Sequence, residues 1–409
     1  MTIELRELQA DGVDGWLRAA ETGFGGVPLP ADRREHWVSV IETERGIAAW
    51  DDGQVVGTTG AYSFRMVVPG GGLVPVAGVT LVSVLPTHRR RGLLTSMMRR
   101  QLDGVRERGE PMAVLLASEP DIYGRFGYGT ATQTLSAEID TARVTLQVPD
   151  GTDAVRVRLA DPEKSLGACE GVYERLLRAR PGTFARLPRW PEKLLTDIGS
   201  GDARTSPLQA VLATAGDADE VVGYARYTVT PKSRRDEGVV TVHGVQALTP
   251  AAEAALWRYL FGIDLTSVVH TGGHPVDAPW QYLVSDIRRC RVSYGDGLYV
   301  RLVDLAAALE ARTYAAPVDV VLEVTDPFCP WNEGRWRLSG DSSGASCKRT
   351  EDPADLALSV RDLGAVYLGG STLSALAGAG RVTPLRDGAV AAASAAFGGH
   401  IAPWFPHGF

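Results

Sequence analysis

Cysteine is scarce in this sequence: four in 409 residues, at 169, 290, 329 and 347, with no two at CxxC spacing. That excludes a zinc cage or a disulfide framework and predicts buried, reduced thiols. His36, His243, His270, His274 and His400 show no ligand spacing, so no metal site is expected. A basic excess is missing too. Forty-two Lys and Arg against forty-nine Asp and Glu leave a net charge of −7, which argues against nucleic acid as the main partner. A local anion site stays possible. No apolar run approaches the ~20 residues that span a bilayer. Met1 to Gly12 is acidic and has no apolar core of a signal peptide, so a cytoplasmic protein is expected.

What is present is an ordinary globular composition, 44% hydrophobic and 22% charged, in a chain too long for one domain. Asp51-Asp52-Gly53 signals a hairpin turn between Ile47–Trp50 and Val55–Tyr62. A β-branched run from Val76 to Leu85 reaches Pro86. Gly92 to Val105 carries apolar residues at helical spacing, and Met112–Ala117 is short enough only for a buried strand. The pattern is mixed α/β. Around Glu220–Tyr227 the sequence echoes Gln54–Tyr62, and Val245–Pro250 echoes Val82–Thr87, which predicts duplication of one fold. In that register Ala252, Glu253, Ala254 and Ala255 stand opposite Arg89, Arg90, Arg91 and Gly92, an acidic helix start unsuited to phosphate. From about Arg301 the texture changes to a separate α+β unit, with strands at Val318–Thr325, Arg335–Leu338 and Leu356–Val360.

The most informative stretch is Val82-Ser83-Val84-Leu85-Pro86-Thr87-His88-Arg89-Arg90-Arg91-Gly92-Leu93-Leu94-Thr95. A strand ends, a turn follows, and a helix begins beside arginines and a glycine. The first turn of a helix presents unpaired amides and partial positive charge. Gly92 allows close approach of a ligand, and arginine offers forked donors to phosphate. Three arginines could be a mere solvated face. Their position argues otherwise, because cations at a helix N-terminus cost a few tenths to ~1 kcal/mol unless an anion compensates. The stretch carries neither the Walker lysine nor GxGxxG. It reads as a cradle for a pyrophosphate.

Arg89-x-x-Gly92-x-Leu94 after a valine-rich strand resembles the acetyl-CoA motif of GNAT N-acetyltransferases. With Ala117-Ser118-Glu119 and Ile122-Tyr123-Gly124-Arg125-Phe126-Gly127-Tyr128-Gly129, it is similar to the Eis (enhanced intracellular survival) family. The resemblance implies tandem GNAT folds, mixed sheets flanked by helices, followed by a sterol-carrier-protein-like domain. The expected divisions are 1–150 (catalytic), 151–295 (second, degenerate GNAT-like) and 296–409 (sterol-carrier-like, ending in the catalytic C-terminus). It also implies acetyl-CoA as co-substrate, held by Val82, Ser83, Val84, Arg89, Arg90, Arg91, Gly92, Leu93, Leu94, Thr95, Ser118 and Glu119. The amides of Val82 and Val84 would pair with the pantetheine as an added strand.

Acetyl transfer needs an unprotonated amine, stabilisation of the oxyanion and a proton for the leaving thiolate. A tyrosine, with pKa near ~10, can supply that proton, and Tyr123 and Tyr128 are both candidates. The resemblance assigns the acid to Tyr123 and the base to the α-carboxylate of Phe409. The aromatic ending Ile401-Ala402-Pro403-Trp404-Phe405-Pro406-His407-Gly408-Phe409 fits a docked terminus, although chain ends usually fray. His407 is a competing base. Phe24, Trp37 and Met66 fall where the family lines its amine pocket. Gly408 replaces an acid of the best-known members, which weakens an aminoglycoside assignment. The resemblance further implies a homohexamer. The alternatives are a protein lysine acetyltransferase, or a non-enzymatic lipid or sterol binder using the C-terminal domain.

Overall fold

The computed structural model describes residues 3–197, 204–216, 220–233 and 237–409. The chain opens with β1 (Glu4–Glu7), α1 (Val13–Gly23), α2 (Ala31–Val40), β2 (Ile47–Asp51), β3 (Gln54–Val67) and β4 (Leu73–Val84). α3 (Leu93–Glu107), β5 (Met112–Leu116), α4 (Pro120–Tyr123) and β6 (Gly129–Thr130) follow. The β2–β3 hairpin turns through Asp52 and Gly53, at φ +47° and +78°, the twist-matched turn that Asp-Gly favours. α3 buries Leu93, Met97, Met98, Leu102 and Val105, the stripe expected from its spacing.

The middle of the chain supplies β7 (Gln133–Asp140), β8 (Arg156–Ala160), α5 (Leu166–Leu176), β9 (Phe184–Ala185), α6 (Trp190–Asp197), β10 (Gln209–Ala215), β11 (Glu220–Thr230) and β12 (Val239–Ala247). It continues with α7 (Pro250–Phe261), β13 (Val268–His274), α8 (Trp280–Leu283), β14 (Ser293–Asp296) and β15 (Leu298–Leu302). Last come α9 (Leu305–Glu310), β16 (Val318–Thr325), β17 (Gly334–Asp341), β18 (Gly344–Arg349), β19 (Leu356–Ser359), α10 (Val360–Val366), α11 (Leu373–Gly378), β20 (Val382–Pro384) and α12 (Ala389–Phe397).

Three sheets result. The first runs β1-β2-β3-β4-β5-β15-β6, with β9 added to β3; the second runs β14-β7-β13-β12-β11-β10-β8; the third runs β18-β17-β16-β19-β20. The first two units exchange strands. β7 leaves the first unit and pairs with β13 and β14, whereas β15 returns to lie between β5 and β6. Strand pairing therefore crosses both of the divisions expected near 150 and 295.

The duplication has the predicted order, but its register needs correction. α7 starts at Pro250 and its N-cap is Thr249, whose hydroxyl accepts from the Ala252 amide at 3.2 Å. The structural counterpart of Gly92 is thus Thr249. Ala252–Ala255 lie inside the helix. Where the first unit has Leu85–Arg91 between strand and cap, the second has Leu248 alone, so the cradle loop itself is missing there.

Candidate active site

The site grows from a defect in β4. Its register against β3 slips between Thr58 and Gly60, and Leu81 takes a left-handed conformation, φ +52°. Such a bulge bends a strand away from its neighbour. Parallel pairing with β5 covers Val76, Ala77 and Gly78, ending at Gly78↔Val114. Beyond that point the two strands diverge and a cleft of about 750 Å³ opens.

The N-terminus of α3 faces this cleft. Its N-cap is Gly92 at φ +79°, and no side chain caps it. A Cβ added at Gly92 would meet nothing within 4 Å, so the approach to the helix amides is open and the backbone conformation favours glycine. Arg90 is also left-handed, at φ +63°. Arg89 is tethered across the loop, its Nε donating to Val84 O and an Nη to Gly23 O, each at 3.3 Å. His88 is held by Asp51, with 3.1 Å between Nε2 and Oδ2.

Val82, Ser83, Val84, Arg89, Arg90, Gly92, Leu93, Leu94, Thr95, Ser118, Glu119 and Tyr123 all line the cleft. Arg91 is exposed and does not. Gly23 lines it as well, though nothing in its local sequence singles it out, and so does His88, which lies within the arginine-rich stretch. Gly23 arrives from the end of α1, and a Cβ there would stand 2.7 Å from the Ser83 side chain.

The far wall carries the tyrosines. Tyr123 ends α4 and meets Tyr128 ring to ring at 5.9 Å. Burial pushes the Tyr123 phenol up to about 12 and drives Tyr128 higher still. Tyr128 is fully enclosed, whereas Tyr123 reaches the cleft. The turn into β6 just after Tyr128 is shaped by the C-terminal unit: a Cβ at Gly129 would stand 2.0 Å from Arg361 O, so no larger residue fits.

The three residues expected at an amine pocket separate. Phe24 lies at the cleft wall beside Gly23 and is half exposed. Trp37 faces the buried Lys193, whose Nζ sits 4.4 Å from the ring centroid. Met66 does not line the cleft; it is fully buried on β3 opposite Phe184 and Val74. β3 alternates, and Met66 shares the inward face with Tyr62 and Phe64, which explains its burial.

Phe409 packs against that same face. Its ring lies 5.2 Å from Phe64, 5.5 Å from Phe405 and 6.5 Å from Tyr62. A Cβ at Gly78, the last β4 residue paired with β5, would stand 3.3 Å from Phe409, and one at Gly408 would stand 3.8 Å from Leu116 at the end of β5. The C-terminal residues therefore rest at the throat where β4 and β5 part. His407 is enclosed by Tyr173, Trp190 and Phe405. Burial, then Arg186 and Lys193, push it well below the ordinary imidazole range, which makes it a poor base.

Acetyltransferase (GNAT) domain models match residues 4–131 and 182–302, and a sterol carrier protein domain model matches 305–406. An uncharacterised N-acetyltransferase of Streptomyces coelicolor is 59% identical, covering the whole of both chains. The N-acetyltransferase Eis of Mycobacterium tuberculosis is 33% identical over 93% of each chain. The crystal structure of Eis1 from Mycobacterium abscessus superposes over all of both chains with a TM-score of 0.83 at 33% identity. Fold, cleft and sequence converge: this chain is an N-acetyltransferase and belongs to the Eis family of GNAT enzymes.

Proposed function

We propose that the protein uses acetyl-CoA to acetylate an amine of a small polyamine or aminoglycoside-like acceptor, by direct attack on the thioester. The observation that carries this reading is the coexistence, in one cleft, of an uncapped helix N-terminus with Arg89 and Arg90 and a phenol at Tyr123. The two features suit opposite ends of one molecule, a diphosphate and a thioester. Acetyl-CoA, when bound, supplies the activated acetyl group.

The chain's own residues do the rest. The amides of Leu93, Leu94 and Thr95 and the two guanidinium groups hold the diphosphate. Tyr123, kept protonated by burial, donates its Oη proton to the departing sulfur. The carboxylate of Phe409 receives or steers the proton of the attacking amine. Assembly as a homohexamer in the cytoplasm belongs to the same reading, and sedimentation analysis tests the former.

Gly408 adds no negative charge beside the terminus, which weakens the aminoglycoside half of this reading and leaves the transfer itself untouched. Lysine side chains of peptides are the alternative acceptor. The test mixes the full chain, acetyl-CoA and a panel of aminoglycosides, polyamines, simple amines and lysine peptides, following thiol release. Turnover with at least one class is expected, with loss on Tyr123→Phe and on removal of Phe409. Silence across the panel, or full turnover without Phe409, sinks the respective part.

A further inference from the structure

The second unit repeats the geometry of the first up to the point where a cofactor would enter. β12 pairs with β13 in parallel over Val239–Val242 and Val268–Thr271, then parts from β13 and continues to Ala247 paired with β11. A small cavity of about 180 Å³ remains between the end of β12, Glu253 of α7 and His274, and its wall is completed by Ile401 and Trp404. The C-terminal segment has entered the cleft that corresponds to the cofactor cleft.

Its attachment is polar and specific. Arg180 Nη1 donates both to Asp277 Oδ1 and to Ala402 O, each at 2.6 Å, while the Ala402 amide donates to Asp277 Oδ2 at 2.8 Å. One ion pair therefore grips both backbone groups of a single residue. Two residues on, the Trp404 amide donates to Pro181 O at 2.8 Å, and its indole Nε1 donates to Gly273 O at 2.5 Å. From there Phe405 stacks on Phe184 at 4.7 Å, Phe184 pairs with Met66 on β3, and the chain ends with Phe409 against Phe64.

We propose that the second cleft serves as an anchor for the C-terminal strap, with Arg180 and Asp277 as positioning residues that hold Phe409 at the throat of the first cleft. This rests on the reading that the Phe409 carboxylate takes part in transfer. Terminal residues ordinarily fray, and a carboxylate free to wander by about 1 Å loses on the order of 100-fold in rate. The clamp removes that freedom with bonds formed far from the reacting atoms.

The experiment uses the full chain and the variants Asp277→Ala, Arg180→Met and Trp404→Phe, the last keeping an aromatic side chain but removing the indole donor to Gly273. Release of Phe409 by carboxypeptidase A is timed, and kcat and the KM for acetyl-CoA are measured with the best acceptor. Expected are release about 10-fold faster, kcat about 10-fold lower and an unchanged KM for acetyl-CoA, with Asp277→Glu recovering part of both. Unchanged release and unchanged kcat in the variants that fold overturn the anchor and leave the role of the carboxylate untouched. Faster release with full kcat overturns that role and leaves the anchor standing. Should Asp277→Ala fail to fold, Trp404→Phe decides by the same two measurements.

Discussion

Tyr123 illustrates how burial tunes the phenol proposed as general acid. With its pKa pushed up to about 12, the neutral form prevails throughout the range in which amines are acetylated. Tyr123→Phe should lower kcat about 100-fold, within the usual span for loss of a general acid, and leave the KM for acetyl-CoA nearly unchanged. Ultraviolet titration should show no ionisation assignable to Tyr123 below pH ~11. His274, in the wall of the second cleft, shows the opposite shift. Its partner is the Thr271 hydroxyl, and burial lowers it from 6.5 to about 4. The unfolded chain takes up a proton near 6.5 and the folded one does not. Its contribution is therefore complete above pH 6.5 and disappears as pH falls toward 4, roughly 3 kcal/mol in all. Melting curves of the wild type and His274→Gln between pH 7 and 4.5 should diverge in slope accordingly.

The first turn of α3 and that of α7 are one element put to two uses. Thr249 caps its helix internally, whereas Gly92 leaves the amides of its helix to a ligand. Gly92→Ala forces a Cβ into a left-handed conformation at about 1–2 kcal/mol. We expect a KM for acetyl-CoA about 10-fold higher, read by initial rates at saturating amine. β15 works as a brace. Arg301, fully buried on it, makes a two-pronged pair with Asp326 at 2.7 Å, and that carboxylate also accepts from Cys329 N and Asn332 Nδ2. The same guanidinium would stand 2.8 Å from a Cβ at Gly127, in the loop that follows Tyr123. Asp326→Ala strands the buried charge and should cost about 3–5 kcal/mol, measured by denaturant unfolding.

Across the molecule, strand exchange ties the units together. The first sheet lacks its β5 neighbour unless the chain has completed the second unit and returned as β15. A fragment of residues 1–150 leaves β5 as an open, apolar edge, and it should aggregate or stay protease-sensitive while the full chain resists. The C-terminus obeys the same logic, since Phe409 reaches its place through contacts with β3, β9 and the second cleft. Among the described residues no helix is long and apolar enough to cross a membrane.

The elements that build the cleft between β4 and β5 were legible because each depends on neighbours in sequence. An Asp-Gly turn, a helical apolar stripe and a glycine before a helix act over a few residues, and all three stand where their patterns place them. The strand exchange and the Arg180–Asp277 grip on Ala402 join residues from 97 to more than 200 positions apart and leave no periodic trace. The fate of Met66 is of the same kind, because β3 alternation says that one face is buried but not what covers it. Local backbone preferences wrote the cradle into the sequence; long-range packing alone decided which strands complete each sheet and where the chain comes to rest.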